Sequence, residues 1–362
     1  MKQSQDLFQS FDTVVEEQWH TAIERFLKGK PLENLHWELE EGVIISPLQR
    51  KSTVTPSPIG WESALGGNQW GLAEAIVVEN KEAVATANQS LLHALNQGAN
   101  TLLIHWGYVP STEELDALLK GVLLDLVYLH FEVSQLEAAA WLQTLQQWPH
   151  AAQVQGSCAL APLAPAELWP LLEPVAEQLS WKWLNFAIDR EDSQGLANAL
   201  YQASLWFDFL LEKGYNTAQI SSWMRFEYTI EARYFVALAR LRALKKCWLA
   251  LLAAYEAPAT TWPWFHASTN NDTTADQYRN MLVGTTQAMA AVIAGVDSLW
   301  VCPSNGLEAS TDFTKRIARN VQHLLQAESY LHRVVDPAAG AYYLEHMTTE
   351  LTQQAWQQFC EL

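Results

Sequence analysis

From about residue 70 onward, short apolar runs rich in β-branched and aromatic residues alternate with longer segments that have the 3.6-residue period of helices. The short runs predict eight β-strands, at residues 73–79, 101–107, 125–133, 153–160, 181–189, 220–228, 262–268 and 297–302. The longer segments predict helices at residues 81–97, 113–120, 136–147, 165–179, 193–212, 229–255, 275–294 and 312–328. Each predicted strand is thus followed by at least one predicted helix.

This alternation favours one closed architecture. Strands that are joined through helices pair in parallel, and eight such units match a closed (β/α)8 TIM barrel better than an open sheet. A doubly wound open sheet is the alternative, but the glycine-rich phosphate turn expected after its first strand is missing. We therefore predict an α/β fold in which residues 61–362 form a (β/α)8 TIM barrel.

Residues 1–60 do not show this alternation of predicted strands and helices. Apolar residues between Leu7 and Leu27 have helical spacing that ends at Gly29, and the segments 35–37 and 43–48 have the character of extended chain. We interpret residues 1–60 as an N-terminal arm. Its aromatic residues are covered either by a partner chain or by the arm's own barrel, and the sequence leaves both alternatives open.

Composition and charge limit the kinds of partner and the cellular location that we expect for this chain. Of the 362 residues, 49% are hydrophobic and 17% charged, which is typical of a globular protein. The net charge of −18, without a basic cluster, argues against a nucleic-acid partner. No apolar run approaches the roughly 20 residues of a membrane span, and the N-terminus lacks the pattern of a signal peptide. Four widely spaced cysteines without metal-ligand spacing indicate reduced thiols, so we expect a cytoplasmic protein without a metal site.

In a barrel of this type the functional site lies at the C-terminal ends of the strands. Polar residues at or near the predicted strand ends are Glu132, Cys158, Asp189, Arg225, Glu227, His266, Ser268, Ser304 and Asn305. His266 is the leading candidate, because a histidine there can act as a general acid or base or donate a hydrogen bond to a carbonyl. A structural role in holding a loop is an equal alternative. Asp189 fits a helix cap better than a functional acid.

The C-terminal third carries the most specific sequence of the chain. Residues 311–322 read TDFTKRIARNVQ, and residues 334–345 read VVDPAAGAYYLE. Arg316 and Arg319 are three residues apart, which predicts a buried arginine face on one helix. Asp336 and Pro337, followed by Gly340, predict a tight turn that leads into an aromatic pair.

This order of residues resembles the methylmalonyl-CoA mutase family, in which the barrel closes with TDFSARIARNTQ and VVDPWAGSYYVE. The residues that match as a structural motif are Arg316, Arg319, Asn320, Asp336 and Tyr342. The strings LRA at 241–243 and WE at 61–62 agree as well, and residues 7–48 resemble the N-terminal arm of the small subunit of heterodimeric mutases. The resemblance implies an arm that wraps a homologous large subunit. It also implies a barrel that binds the pantetheine of coenzyme A along its axis, with Ser268 and Asn305 as candidate substrate-binding residues.

The sequence departs from the family at the reacting residues. Residues 50–58 read RKSTVTPSP where the family has an Arg-Gly-Pro-Tyr stretch, and the Tyr-His pair expected after the fifth strand is missing, since no histidine lies between His150 and His266. The segment 264–271 keeps His266 as a vestigial candidate but loses the family's glutamine. The segment 299–306 reads LWVCPSNG where the family has LHTNALDE, a change that removes groups around the adenosyl ribose.

The resemblance and these departures together imply a non-catalytic small subunit of an adenosylcobalamin-dependent methylmalonyl-CoA mutase. The Asp-x-His-x-x-Gly string that supplies the cobalt ligand does not occur in the 362 residues. We therefore expect no cofactor on this chain, adenosylcobalamin on the catalytic large subunit, and acyl-CoA as a candidate ligand. Two alternatives stay open: an independent binding or scaffold protein, and a subunit of another acyl-CoA mutase.

Overall fold

The computed structural model describes residues 15–50, 59–133, 138–160, 164–188, 190–272 and 276–362. A two-stranded hairpin precedes an eight-stranded parallel sheet in these residues. The strands are β1 (Trp37–Glu40), β2 (Val43–Ile45), β3 (Gly71–Val78), β4 (Thr101–Trp106), β5 (Tyr128–Val133), β6 (Gln155–Ala159), β7 (Leu184–Ile188), β8 (Met224–Ile230), β9 (Trp264–Thr269) and β10 (Ser298–Trp300). Strands β3 to β10 confirm the eight predicted ones.

Helices follow the strands around the sheet. They are α1 (Glu16–Phe26), α2 (Val84–Asn96), α3 (Thr112–Leu118), α4 (Ala138–Gln147), α5 (Pro165–Ala176), α6 (Ser193–Glu212), α7 (Thr217–Ser222), α8 (Tyr234–Ala254), α9 (Gln277–Ala294), α10 (Asp312–Ala327) and α11 (Tyr342–Cys360). All eight predicted helices are present. No described helix combines the length and the apolar character that crossing a bilayer requires.

Two predicted boundaries differ from the structure. Residues 220–222 belong to α7 instead of to the predicted strand 220–228, because Asn216 caps this short helix by accepting a hydrogen bond from the Gln219 N–H at 2.9 Å. The predicted helix 229–255 begins only at Tyr234, because β8 continues to Ile230.

The sheet order β6-β5-β4-β3-β10-β9-β8-β7 leaves β6 and β7 at its two ends. A single bridge between Ser157 and Lys182 joins these ends. There the Lys182 N–H donates to the Gly156 carbonyl at 2.8 Å, and the Cys158 N–H donates to the Lys182 carbonyl at 3.2 Å. The eight parallel strands and their helices thus form a nearly closed barrel, which confirms the predicted (β/α)8 TIM fold.

Side chains alternate between the two faces of each barrel strand. Phe131 on β5 packs against Trp141 of α4, and Phe226 on β8 packs against Trp248 of α8, so these positions face the helix layer. Their neighbours along the strands, such as His130, therefore face the barrel interior. The main hydrophobic core lies between the sheet and the helices.

The described part of the N-terminal arm divides into two regions. In the β1–β2 hairpin, Glu40 accepts hydrogen bonds from the Ser193 N–H and pairs with Arg240 of α8 at 3.0 Å, so residues 37–45 pack on their own barrel. None of the described side chains of α1 is buried, and Phe26 at its end is 86% exposed. The alternative of an arm packed back on its barrel is confirmed for the hairpin. The predicted arm residues 1–14 and 51–58 lie outside the described residues.

Candidate functional site

Two histidines lie inside the barrel, and each is held by a serine of the next strand. His130 Nδ1 on β5 is 2.7 Å from Ser157 Oγ on β6, and His266 Nδ1 on β9 is 2.7 Å from Ser298 Oγ on β10. Both imidazoles are buried, and the Nε2 atom of His266 has no hydrogen-bond partner among the described residues. Parallel pairing and inward side-chain alternation place these groups in the middle of the barrel.

Burial controls the protonation of both rings. Desolvation, reinforced by the charge of nearby Arg225, lowers the pKa of His266 to about 3 and holds the pKa of His130 well below its usual value. Both imidazoles are therefore neutral near pH 7. A general base works best when its pKa lies near the working pH, so His266 is poorly matched to proton transfer.

Arg225 lies at the centre of the same cluster and is 1% exposed. Its Nη1 atom donates to Asn185 Oδ1 at 2.6 Å and to Glu227 Oε2 at 2.8 Å, and the Asn185 amide donates to the same Glu227 oxygen at 3.3 Å. Burial alone would raise the pKa of Glu227, but the Arg225 guanidinium outweighs it and holds that pKa below its usual range. The arginine is thus neutralised within the chain, which removes it as a ready site for an anionic substrate.

Two stacked aromatic rings continue this cluster along the interior of the barrel. The rings of Tyr128 and Trp264 are 4.3 Å apart and nearly parallel, and the Trp264 indole donates to Ser298 Oγ at 3.0 Å. Both rings are less than 9% exposed. Side chains that line a water-filled passage are exposed to it, so these buried groups fill the barrel as a packed core does.

The loops at the C-terminal ends of β9 and β10 use their own polar side chains. The Asn271 amide donates to the Pro303 carbonyl, and the Asn305 amide donates to the Ala309 carbonyl. Ser268, the other residue predicted to bind substrate, is buried on β9. Ser268 thus lies on β9, and Asn305 lies in the loop that follows the neighbouring strand β10, as the sequence predicted. The Asn305 amide is already hydrogen-bonded within its own loop.

One histidine–carboxylate contact at the mouth was missed by the sequence analysis. His105 Nδ1 on β4 is 2.9 Å from Glu132 Oε2 on β5. Glu132 was identified as a strand-end residue and His105 was not, although each is the next-to-last residue of its strand in the structure. The pairing register, which sets His105 beside Glu132, is the signal that a single sequence does not contain.

Two further strand-end candidates are Cys158 and Asp189. Cys158 is buried, and desolvation raises the pKa of its thiol to about 12, so it stays protonated and unreactive at neutral pH. Asp189 lies outside the described residues.

The predicted arginine face on α10 is buried at only one of its two positions. Arg319 is 6% exposed and forms a two-pronged ion pair with Glu74 of β3, at 2.7 and 3.0 Å. Arg316 and Asn320 are exposed, and the Arg316 guanidinium lies 5.7 Å from the exposed ring of Phe313. The prediction of burial is wrong for Arg316, because the side of α10 that packs on the barrel carries residues 314, 318, 322 and 325.

The predicted turn before α11 is confirmed. Asp336 adopts a positive φ of 44°, and its carbonyl accepts a hydrogen bond from the Ala339 N–H at 3.0 Å. Its carboxylate binds the buried Arg242 guanidinium at 2.9 and 2.8 Å, and Arg242 also donates to Glu345 at 3.0 Å. Tyr342 is the half-buried first residue of α11. The turn therefore ties α11 to α8.

Comparison with known proteins bears on the whole chain. The family model described as methylmalonyl-CoA mutase matches residues 190–362. A methylmalonyl-CoA mutase small subunit from Porphyromonas gingivalis is 31% identical over 99% of this chain and 64% of its own length. Both comparisons make the chain similar to the methylmalonyl-CoA mutase family. A second methylmalonyl-CoA mutase small subunit, from Streptomyces virginiae, is 28% identical over 97% of this chain and 64% of its own length.

The chain spans slightly less than two thirds of the length of these mutase relatives. Among solved structures, dihydropteroate synthase from Xanthomonas albilineans aligns with 72% of this chain and 94% of its own chain at 12% identity, with a TM-score of 0.39. That score is too low to support any inference about this chain. The region matched by the family model contains Arg242, Asp336 and Glu345, which form one ion-pair cluster, and it contains Arg319, whose partner Glu74 lies outside the matched region.

Proposed function

We propose that this chain is the non-catalytic small subunit of an adenosylcobalamin-dependent methylmalonyl-CoA mutase. It pairs with a homologous large subunit, and the heterodimer interconverts (R)-methylmalonyl-CoA and succinyl-CoA at the large subunit's site. The small-subunit names of its relatives support this role. The proposal includes the cytoplasm as location, propionate metabolism as context, and a division into an arm at 1–60 and a barrel at 61–362.

The filled barrel interior is the observation that carries the proposal. A pantetheine chain on the barrel axis would have to occupy the space that Tyr128, Trp264, His266 and Arg225 now fill, and all four side chains are less than 9% exposed. Close-packed interiors resist insertion without rearrangement. A barrel with this interior serves as a scaffold and not as a substrate channel.

The described residues at the barrel mouth do not fit the cofactor. When bound to an enzyme of this type, adenosylcobalamin supplies a radical through homolysis of its cobalt–carbon bond. The amides of Asn271 and Asn305, which could meet a ribose, are bound to loop carbonyls, and His266 is buried inside the barrel. We therefore assign cofactor binding to the partner subunit.

The two regions of the arm support two different roles in the heterodimer. The hairpin is fixed to the barrel through Glu40 and Arg240, whereas Phe26 of α1 and Val15, which precedes the helix, are exposed. Exposed apolar side chains on an unpacked helix are typical of an interface. In this proposal the hairpin anchors the arm, and α1 covers part of the large subunit.

Deletion of residues 1–36 tests the arm, since it removes α1 and keeps the anchored hairpin. The truncated chain is expected to stay folded and to bind the large subunit about 10-fold more weakly than the full chain, because α1 adds interface area and not core. Binding is measured by titration of purified large subunit, with circular dichroism to verify folding. Unchanged affinity would contradict the role of α1, and no association by the full chain would favour an independent scaffold.

An activity assay tests the non-catalytic status. The isolated chain, supplied with adenosylcobalamin and (R)-methylmalonyl-CoA, is expected to form no succinyl-CoA, and the heterodimer is expected to form it. His266→Gln in the heterodimer is expected to leave turnover unchanged. Turnover by the isolated chain that His266→Gln abolishes would contradict the proposal.

A further inference from the structure

Strand β10 is shorter than its neighbour β3 and leaves part of it unpaired. The two strands pair only where Ser298 to Trp300 lie opposite Gly71 to Ala73, whereas β3 continues to Val78. On its other side β3 stays paired with β4 along residues 73–78. The end of β3 therefore has one open edge among the residues that the structure describes.

The path of the chain after β10 explains this open edge. The Cys302 N–H donates to Thr269 Oγ1 on β9 at 2.9 Å, and the Asn271 amide donates to the Pro303 carbonyl. Proline also has no N–H with which to continue a ladder. The chain after β10 is thus bound on the β9 side and not to β3.

The main-chain groups of Val77 point to the open edge. Along a parallel strand, alternate residues direct their N–H and C=O groups to opposite neighbours. The Gly71 N–H donates to the Asp297 carbonyl at 2.8 Å on the β10 side, and the Val78 carbonyl accepts from the Gly107 N–H at 3.0 Å on the β4 side. Odd-numbered residues of β3 therefore face the β10 side. Val77 is 43% exposed, and its main chain has no partner there among the described residues.

An open cleft of about 650 Å³ lies along this edge, between α2 and the loop that leads into α10. Its accessible lining includes the exposed Val77, Thr86 and Ser90 and the half-buried Leu307 and Ser310. The α2 residues that line it are alanine, serine or threonine, so they leave room for another main chain to approach β3. Exposed strand edges are templates for pairing with a second chain, and extended peptides bind proteins in this way.

The charged groups of the cleft indicate the charge of such a peptide. Glu79 and Glu308 line the cleft, both are exposed, and neither forms an ion pair with a described residue. His105 is already in contact with Glu132, and Lys315 is the lining cation that opposes the two carboxylates. Carboxylates thus outnumber ammonium groups in the cleft, on a chain whose net charge is −18. A basic peptide complements this charge.

We propose that the open edge of β3 binds an extended, basic segment of another protein as an added strand. The Val77 N–H and C=O groups bind the main chain of this segment, and its apolar side chains contact Val77 and Leu307. Its basic side chains lie near Glu79 and Glu308. This surface is independent of the proposed role of the chain in a heterodimer.

Three heptapeptides with blocked termini test the class of partner. The first alternates lysine and valine, the second has glutamate in place of lysine, and the third is the lysine peptide with N-methyl groups on its three central residues. The lysine peptide is expected to bind the full chain at least about 10-fold more tightly than the others, because glutamate meets carboxylates and N-methylation removes main-chain donors. Isothermal titration calorimetry at pH 7 measures this. No binding of the lysine peptide, or equal binding of it and either of the others, would overturn the proposal.

A proline substitution tests the location. Val77→Pro removes the N–H at the open edge, and it spares the pairing with β4, which uses the even-numbered residues of β3. It is expected to weaken binding of the lysine peptide about 10-fold. Val77→Thr is the control, because it keeps the N–H and the shape of the side chain, and it is expected to bind like the parent.

Circular dichroism verifies that both Val77 variants fold. Parental affinity in Val77→Pro, or equal loss in both variants, would overturn the assignment to main-chain pairing at β3. If Val77→Pro does not fold, the N-methylated peptide tests the same hydrogen bonds from the side of the ligand.

Charge reversal separates the cleft from the overall charge of the chain. Glu308→Lys is expected to weaken binding of the lysine peptide about 5-fold and to strengthen that of the glutamate peptide. Glu212→Lys is the control, because it makes the same change of net charge at an exposed position at the end of α6, outside the cleft. Equal effects of the two variants would mean that binding follows net charge alone, and they would overturn the proposal.

Discussion

Two buried arginines of this chain have similar surroundings and different consequences for the fold. Arg242 lies outside the sheet and binds Asp336 and Glu345, which are 94 and 103 residues away in sequence. Arg225 lies inside the barrel and binds Asn185 and Glu227, which are on its own strand or the next one. The first arginine joins α8 to the turn at Asp336 and to α11, which are distant from it in sequence, whereas the second joins strands that a hydrogen-bond ladder already holds.

The comparison distinguishes the ion pairs outside the sheet from the polar cluster inside the barrel. The outer ion pairs of Arg242 and Arg319 hold α8, α10, α11 and the turn at Asp336 around the sheet. The inner cluster occupies the space in which a substrate chain would lie. A subunit that contributes shape and surface needs the outer ion pairs, and the inner cluster gives it a closed core. This division is what the proposed non-catalytic role requires of the barrel.

The largest expected effect is that of Arg242→Ala. The substitution leaves Asp336 and Glu345 without their buried cation, and we expect it to lower the free energy of unfolding by about 3–5 kcal/mol. Urea denaturation of the isolated chain measures this change. A loss below about 1 kcal/mol would mean that the two carboxylates find water or other partners, and that Arg242 does not hold the turn.

The inner pair supplies the matched comparison. Replacement of both Arg225 and Glu227 by methionine removes a pair whose arginine is buried and whose glutamate side chain is 31% exposed, without leaving either charge behind, and such exchanges are often neutral or stabilising. We expect the double variant to change the free energy of unfolding by less than about 1 kcal/mol. A loss as large as that of Arg242→Ala would show that the inner pair also holds the barrel together.

Arg319→Ala should rank next, at about 3 kcal/mol, because Glu74 is then left half-buried without a partner. Arg316→Ala on the same helix is the control and is expected to stay within about 0.5 kcal/mol, since Arg316 is exposed. Thermal melting compares the two. If Arg319→Ala melts like the parent and loses affinity for an acyl-CoA, Arg319 belongs to a ligand site and the scaffold interpretation fails.

Sequence reasoning predicted local features well. The change from short apolar runs to helical period predicted all eight barrel strands, since both signals depend on near neighbours. It missed α7, because Ile220 reads as the start of a strand until the cap at Asn216 is considered. The mutase-like string identified Arg319 and Asp336 as structural residues.

The partners of those residues could not be predicted. Glu74 is 245 residues from Arg319 and sits within a predicted strand that gives no sign of an ion pair. In the same way, Arg225, Glu227 and His266 were identified only as strand-end polar residues. That they meet inside the barrel depends on the register, which pairs Glu227 with His266, and on partners from other strands. Such long-range geometry is not contained in the local pattern of one sequence.

A smaller loss than those of the two outer arginines is expected from pH and the inner cluster. The folded pKa of His266, about 3, lies below the value of about 6.5 for an exposed histidine, so the unfolded chain binds more protons between these values. Stability is fully present above pH 6.5 and falls as the pH is lowered. Between pH 6.5 and 5, His266 should contribute a loss of about 2 kcal/mol, at about 1.4 kcal/mol per unit. His130, whose pKa is lowered too, adds a loss of the same sign.

His266→Gln should therefore flatten the pH dependence of unfolding, measured by urea denaturation from pH 7 to 5, and the exposed control His93→Gln should not. Glu227, with its lowered pKa, loses its contribution only below this range. Burial raises the pKa of Asp297 and lowers that of Lys245, so both groups can titrate in this pH range. They do so equally in the parent, in His266→Gln and in His93→Gln. The difference between the pH profiles therefore isolates His266. Parallel pH profiles for His266→Gln and the parent would show that His266 takes up its proton without unfolding. The barrel interior would then be open to water, which is the one condition under which a substrate chain could enter it.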